Sequence, residues 1–206
     1  MNILITGGSS GIGQQLVVSL SRDNVVTAPD RLHLDLARLP DYPMQTFDCI
    51  ILCAGSDLGG KQPFCAMQDS DWVNTMQVNL VSNMKLIKDY IIARGSQWSK
   101  IIVIGSTATN HIWPNMIPYS LSKLALEEFC CALRQEVSSN IGISIIRPGL
   151  VKTNFNFARN KGQLTQQQAN EWYANKSHLL PHDLVPAVKY MLDDRLHILK
   201  ELVIEL

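Results

Sequence analysis

The chain predicts an α/β fold: a doubly wound, mainly parallel sheet of six to seven strands with helices on both faces. Three observations carry this. Short runs of Val, Ile and Leu recur along the 206 residues. These runs are continuous rather than alternating, as suits strands buried on both faces. Between them lie longer stretches with apolar residues at helical spacing. Alternation of this kind calls for right-handed crossovers and places ligands at the carboxyl ends of the strands.

The run "NILIT" (2–6) opens the sheet and leads through a glycine-rich turn into a helix over 12–21. A second strand, "NVVTA" (24–28), is followed by an irregularity. Only two residues, Asp30 and Arg31, separate "VVTAP" from "LHLDL", whereas a parallel neighbour needs a crossover of about a dozen. Residues 32–36 are therefore expected as a loop or short stub, and the third-strand region of the sheet as trimmed. The strands "DCIILCA" (48–54), "KIIVIGS" (100–106), "GISIIRP" (142–148) and "ELVIEL" (201–206) complete the sheet, with helices expected over 71–94, 121–138 and 183–193. In the 121–138 segment, Leu121, Leu124, Ala125, Phe129, Leu133 and Val137 form an apolar face wide enough for core packing alone or for a helix-to-helix interface as well. The stretch 154–180 is rich in Asn and Gln and carries Phe155, Phe157, Trp172 and Tyr173. It reads as a candidate substrate lid, or as a surface excursion with a short helix. No repeat, low-complexity tract or linker interrupts the chain, so one domain is expected over 1–206.

Charge and cysteine content narrow the functional classes. Lys and Arg number 18, as do Asp and Glu, so a nucleic-acid or anionic-membrane partner lacks its usual electrostatic basis. No apolar stretch approaches the roughly 18 residues of a membrane span, and "MNILITGG" has no basic n-region. The five cysteines are odd in number and scattered, apart from Cys130 and Cys131; they suggest neither a disulfide framework nor a zinc site. A cytoplasmic, reduced, metal-free protein is expected.

The chemistry sits in six short motifs. In "ILITGGSSGIGQQL", Gly7, Gly11 and Gly13 serve a tight turn, close backbone approach to a pyrophosphate, and helix-on-strand packing; Ser9, Ser10 and Ile12 complete the loop. The helix that follows offers free N–H groups and a positive dipole end. Then come "LCAG" (52–55), "QVNL" with Asn79, "IGSTA" with Ser106, "IPYSLSK" with Tyr119 and Lys123, and "RPGLVKT" (147–153). Pro118 suits the first turn of a helix, which sets Tyr119 near its N-terminus and Lys123 one turn on along the same face. A phenol's ordinary pKa, about 10, is too high for a base at neutral pH. A neighbouring ammonium and a helix N-terminus both favour the phenolate. Ser106 Oγ can then bond a substrate oxygen where charge develops. A Tyr four residues before a Lys is common by chance, and a Ser at a strand end is ordinarily a turn or cap residue; the weight lies in their conjunction.

With Gly7-x3-Gly11-x-Gly13 and the other motifs in this order, residues 2 to about 153 resemble the short-chain dehydrogenase/reductase family and its Rossmann sheet. The resemblance implies a catalytic tetrad of Asn79, Ser106, Tyr119 and Lys123, with Lys123 also holding the nicotinamide ribose and Asn79 supporting a water-linked proton relay. It implies that Cys53, Ala54 and Gly55 border the ribose, with Cys53 standing where the family usually has Asn. It implies that Pro148, Gly149, Val151 and Thr153 hold the nicotinamide amide. Asp30 lies 17 residues after Gly13, where a carboxylate accepts both adenosine-ribose hydroxyls and repels a 2′-phosphate, favouring NAD(H). Arg31 beside it suits that phosphate and leaves NADP(H) possible, while the glycine loop adds no basic residue. Asp35 and Leu36 are expected at the adenine.

The expected function is NAD(P)-dependent interconversion of a small-molecule alcohol and carbonyl, with Tyr119 as general acid/base. A dinucleotide-binding regulatory protein without turnover, or a redox-neutral isomerase or lyase with bound NAD, are the alternatives. His111, Trp113, Met116, Phe155 and Trp172 are the expected substrate wall by position. A homodimer or homotetramer is expected, and the short segment after the last strand favours a dimer through the 71–94 and 121–138 helices.

Overall fold

The computed structural model describes residues 1–60, 62–155, 165–195 and 197–206. Its sheet has six strands, all parallel, in the order β2-β1-β3-β4-β5-β6. These are β1 Asn2–Thr6, β2 Val25–Thr27, β3 Cys49–Leu52, β4 Ser99–Ile104, β5 Ile141–Pro148 and β6 Glu201–Ile204. The helices are α1 Gly11–Leu20, α2 Asp69–Met76, α3 Ser82–Arg94, α4 Ile117–Leu133, α5 Gln166–Ala174 and α6 Val185–Asp193. The strand order reverses around β1, which has β2 on one side and β3 on the other, and this opens a crevice above their carboxyl ends.

The continuous apolar runs divide between two faces. Ile3, Ile5, Cys49, Ile51, Ile102 and Ile104 pack on Leu16 and Leu20 of α1 and on Val188 and Met191 of α6. The alternate residues Leu4, Ile50, Leu52, Ile101 and Val103 pack on Leu86, Ile87 and Tyr90 of α3 and on Leu126 and Cys130 of α4. Both faces are therefore covered, as a parallel sheet requires.

Between β2 and β3 the chain forms neither helix nor strand, so the sheet edge is trimmed as the crossover argument requires. Leu34, Leu36, Met44 and Phe47 from this excursion are buried in the core on the α3 side. Ser82 at the start of α3 anchors it, its Oγ donating to the carbonyls of Leu36 and Arg38 at 2.8 and 2.9 Å.

Three helix expectations need correction. The 71–94 helix is interrupted by a π turn at Gln77–Val81, where Asn83 Nδ2 donates to the Asn79 carbonyl at 2.8 Å. The helix expected over 121–138 begins at Ile117, with Pro118 in its first turn, and ends at Leu133. Arg134 follows, and its side chain reaches away to the carbonyls of Ile143 and Lys200. The 183–193 helix is a 3-10 turn, Pro181–Leu184, running into α6.

Within 154–180, residues 156–164, including Phe157, lie outside the described residues. The described part holds α5, started by a capping box in which Thr165 Oγ1 accepts the Gln168 N–H and Gln168 Oε1 accepts the Thr165 N–H. A parallel bridge between Val151 and Leu179 ties the two ends of the excursion together. Among the described residues no helix is long and apolar enough to cross a membrane.

Candidate active site

A cavity of about 960 Å³ lies at the carboxyl ends of β1, β3, β4 and β5. The loop between β1 and α1 forms one wall. Gly7 has φ +72°, and a Cβ there would stand 2.8 Å from Ala54 Cα; a Cβ at Gly13 would strike the Gly7 carbonyl. Only glycine lets the 7–13 turn close this tightly against residues 53–55. Ser9, Ser10, Gly11 and Ile12 also line the cavity, and α1 has no acidic residue in its first turn to occupy its N-terminus. A close cradle of backbone at a helix N-terminus fits the pyrophosphate of a dinucleotide.

At the far end of this wall stand Asp30, Arg31, Asp35 and Leu36. Asp30 Oδ1 lies 2.6 Å from His33 Nδ1 and accepts the N–H groups of Leu32 and His33 at 3.0 and 3.1 Å. These bonds, the His33 side chain first, hold its carboxyl below the usual range. Arg31 Nε donates to Asp35 Oδ1 at 3.3 Å.

Thr6 sets the β3 exit: its Oγ1 accepts the N–H groups of Cys53 and Ala54, each at 3.1 Å. The backbone at 53–54 is thus held from β1. Burial pushes the Cys53 thiol up to about 12. Gly55 leaves a gap in which a Cβ would lie 3.5 Å from Lys123 Nζ and 3.6 Å from Asn79 Oδ1.

Asn79 sits on the π turn, fully buried. Its Oδ1 accepts the Ser56 N–H at 2.7 Å, while Nδ2 donates to the Ser56 carbonyl at 2.7 Å and to Ser122 Oγ at 2.9 Å. It stands behind the cavity wall rather than in it. Lys123 Nζ donates to the Ile104 carbonyl at 2.8 Å. Burial lowers this ammonium's pKa, partly opposed by Cys53 and Glu127. Ser106 caps the short turn Thr107–Thr109, its Oγ accepting the Ala108 N–H at 3.1 Å. The half-buried Tyr119 ring lies 5.5 Å from that of Phe155.

Every residue expected at the dinucleotide lines this one cavity, as do Ser106, Trp113, Met116, Phe155 and Trp172. Asn79 and His111 do not. His111 is exposed, its ring edge-on to Trp113 at 4.9 Å, because the 110–115 loop turns it outward.

Several participants escaped the sequence reading. Glu127, one turn beyond Lys123, accepts the Ser106 N–H at 3.2 Å through Oε1 and pairs with Arg147 Nε at 3.1 Å through Oε2. Burial raises its carboxyl above the usual range. Arg147 also donates to Thr109 Oγ1, which donates to the Ser106 carbonyl at 2.8 Å. The backbone of Ser106 is thereby fixed on both sides. Glu127 continues the spacing of Tyr119 and Lys123 along α4, a signal present in the sequence. Tyr173 Oη, which donates to the Val151 carbonyl at 3.2 Å and lies 3.4 Å from the Thr153 N–H, gave no such signal.

The short chain dehydrogenase family model matches residues 35–164, and the chain belongs to this family of oxidoreductases. It is 27% identical to the NADP-dependent 3-hydroxy acid dehydrogenase of Schizosaccharomyces pombe, over 94% of this chain and 87% of that protein. It is also 27% identical to the 3-oxoacyl-[acyl-carrier-protein] reductase FabG of Pseudomonas aeruginosa, over 73% of this chain and 74% of that one. Among solved structures, serine dehydrogenase complexed with NADP+ superposes with a TM-score of 0.83 at 22% identity, covering 99% of this chain and 94% of the other. A 4-hydroxyisoleucine dehydrogenase complexed with NADH gives a TM-score of 0.78 at 19% identity, covering 99% and 96%. At these identities the structural likeness is one of fold.

Proposed function

We propose that this chain interconverts an alcohol and a carbonyl with a nicotinamide dinucleotide, Tyr119 acting as the general acid/base. The observation that carries the reading is a single cavity lined at once by the glycine cradle and by Ser106, Tyr119 and Lys123. A bound NAD(P) would supply or accept the hydride. Ser106 Oγ, held in place by its backbone bonds, donates to the substrate oxygen, and Tyr119 passes it a proton or takes one away. The buried Lys123 ammonium, one turn along α4, stabilises the phenolate form. Asn79 braces residue 56 and the base of α4 from behind the cavity wall, where it supports a water-linked proton relay from Lys123.

NAD(H) is the favoured cofactor. Asp30 keeps its carboxylate at the adenosine end, and Arg31, the counter-signal, is turned to Asp35. The relatives do not decide it, one named with NADP and a structural neighbour holding NADH. Homodimer formation through α2, α3 and α4 is supported by Val73, Val81, Ile92 and Leu121, apolar residues exposed on or between these helices.

Parallel fluorescence titrations with NADH and NADPH, followed by turnover on a carbonyl panel, test the proposal. The expected result is tighter binding of NADH and cofactor oxidation with at least one carbonyl. Tighter NADPH binding would overturn the cofactor assignment alone. Binding of neither would sink the enzyme reading.

A further inference from the structure

Lys176 follows α5 by two residues and lines the same cavity as Ser106, Tyr119 and Phe155. Its Nζ lies 3.8 Å from the centre of the Trp172 ring. An aromatic face orients an ammonium while leaving its charge uncompensated. The carbonyl end of α5 lies close by and favours a cation there.

The other charges around the cavity are already committed. Lys123 is buried and bonded to the Ile104 carbonyl, and Arg31 is paired with Asp35. The two acids of the lining, Asp30 and Asp35, stand with Arg31 at the adenosine end. Between Tyr119 and α5 no carboxylate lines the cavity among the described residues, and among them Lys176 has no acidic partner. Among the described residues the reacting end therefore combines apolar walls, Trp113, Phe155 and Trp172, with the Lys176 cation.

We infer that Lys176 reads a carboxylate on the substrate, which makes the substrate a small hydroxy acid or its oxo acid. The inference rests on the oxidoreductase reading above and narrows it. Lys176 is exposed at the mouth of the cavity, so a neutral substrate gains nothing from its charge, whereas a carboxylate pairs with an ammonium that the Trp172 ring already orients. A lone ammonium suits a monoanion; a phosphate dianion is ordinarily held by several donors, an arginine fork or a nest of backbone N–H groups. Among the described lining residues the arginine, Arg31, stands at the adenosine end. With the carboxylate on Lys176 and the carbinol oxygen at Ser106 and Tyr119, the acid is held at both ends, which fixes the face presented to the dinucleotide.

The test compares short 2-, 3- and 4-hydroxy acids with their methyl esters and with hydroxyalkyl phosphates, using wild type, Lys176→Ala, Lys176→Glu and Lys176→Arg. Wild type should prefer an acid. Lys176→Ala should raise KM for that acid about ten- to a hundredfold, the worth of one charge-assisted bond, with kcat and all constants for the ester little changed. Lys176→Glu should weaken the acid further, and Lys176→Arg should restore most of the loss. Equal effects on acid and ester, or a wild-type preference for the ester or the phosphate, would overturn the assignment while leaving the oxidoreductase standing. Failure of wild type on every alcohol and carbonyl, neutral ones included, would overturn the underlying reading and this one with it.

Discussion

Lys123 is almost fully buried, and a charge held there costs stability. Burial lowers the ammonium's pKa below its value in an unfolded chain, so the unfolded state retains the proton to higher pH. The group therefore subtracts stability at neutral pH, and the deficit fades as pH rises through the interval between the folded value and the unfolded one, about 10.4. Lys123→Met should accordingly hold or raise Tm at pH 7, with its advantage over wild type shrinking toward pH 10. Its turnover should fall by about a hundredfold or more, because the group that favours the phenolate is gone. Thermal melts across pH alongside rates separate the two effects. A lower Tm for the variant would mean that the bond to the Ile104 carbonyl outweighs desolvation. That Ser106, Tyr119 and Lys123 meet at the cavity was legible because they follow a glycine loop in a recognisable order. Glu127 was less so, since its value comes from meeting Arg147 across twenty positions of sequence.

At the level of elements, β1 and α1 meet so closely that the turn between them admits no side chain at position 13. Gly13→Ala drives a methyl group into the Gly7 carbonyl, which requires the turn to open. Overpacking of this kind costs about 1–3 kcal/mol, and here it also displaces the N–H groups of the cradle. The variant should lose about tenfold or more in dinucleotide affinity together with several degrees of Tm, read by fluorescence titration and calorimetry. Unchanged affinity would mean that the cradle is not the phosphate site. The strands were legible as apolar runs, and the trimmed edge followed from the impossibility of so short a parallel crossover. The π turn at Gln77–Val81 was not, because a wide turn of helix leaves the apolar period nearly intact. The early start of α4 was signalled by Pro118, although the apolar face read from the sequence begins only at Leu121. The path of residues 28–48 depends on tertiary burial of Leu34, Leu36, Met44 and Phe47, which carries no local period.

At the scale of the molecule, segments far apart in the chain, from 6–13 to 172–176, converge on one cavity at the point where the strand order reverses. Such convergence is a property of topology, so a parallel sheet with a glycine turn after β1 already locates it. What the sheet does not locate is the far wall, where α5 contributes Trp172, the turn after it contributes Lys176, and Tyr173 ties that helix to residues 151–153. Those contacts arise across a polar excursion with no periodic pattern, and no spacing rule reveals them. The central claim is that this cavity transfers a hydride under the control of Tyr119. The most direct measurement uses NADH deuterated at C4, offered with a carbonyl substrate to wild type and to Tyr119→Phe, with product analysed by mass spectrometry. Wild type should deliver the deuterium to the carbinol carbon. Tyr119→Phe should bind the cofactor with unchanged Kd yet transfer the label about 10²- to 10⁴-fold more slowly. Wild-type protein that binds the dinucleotide and never passes its label to any carbonyl, or a Tyr119→Phe variant as fast as wild type, would contradict the account.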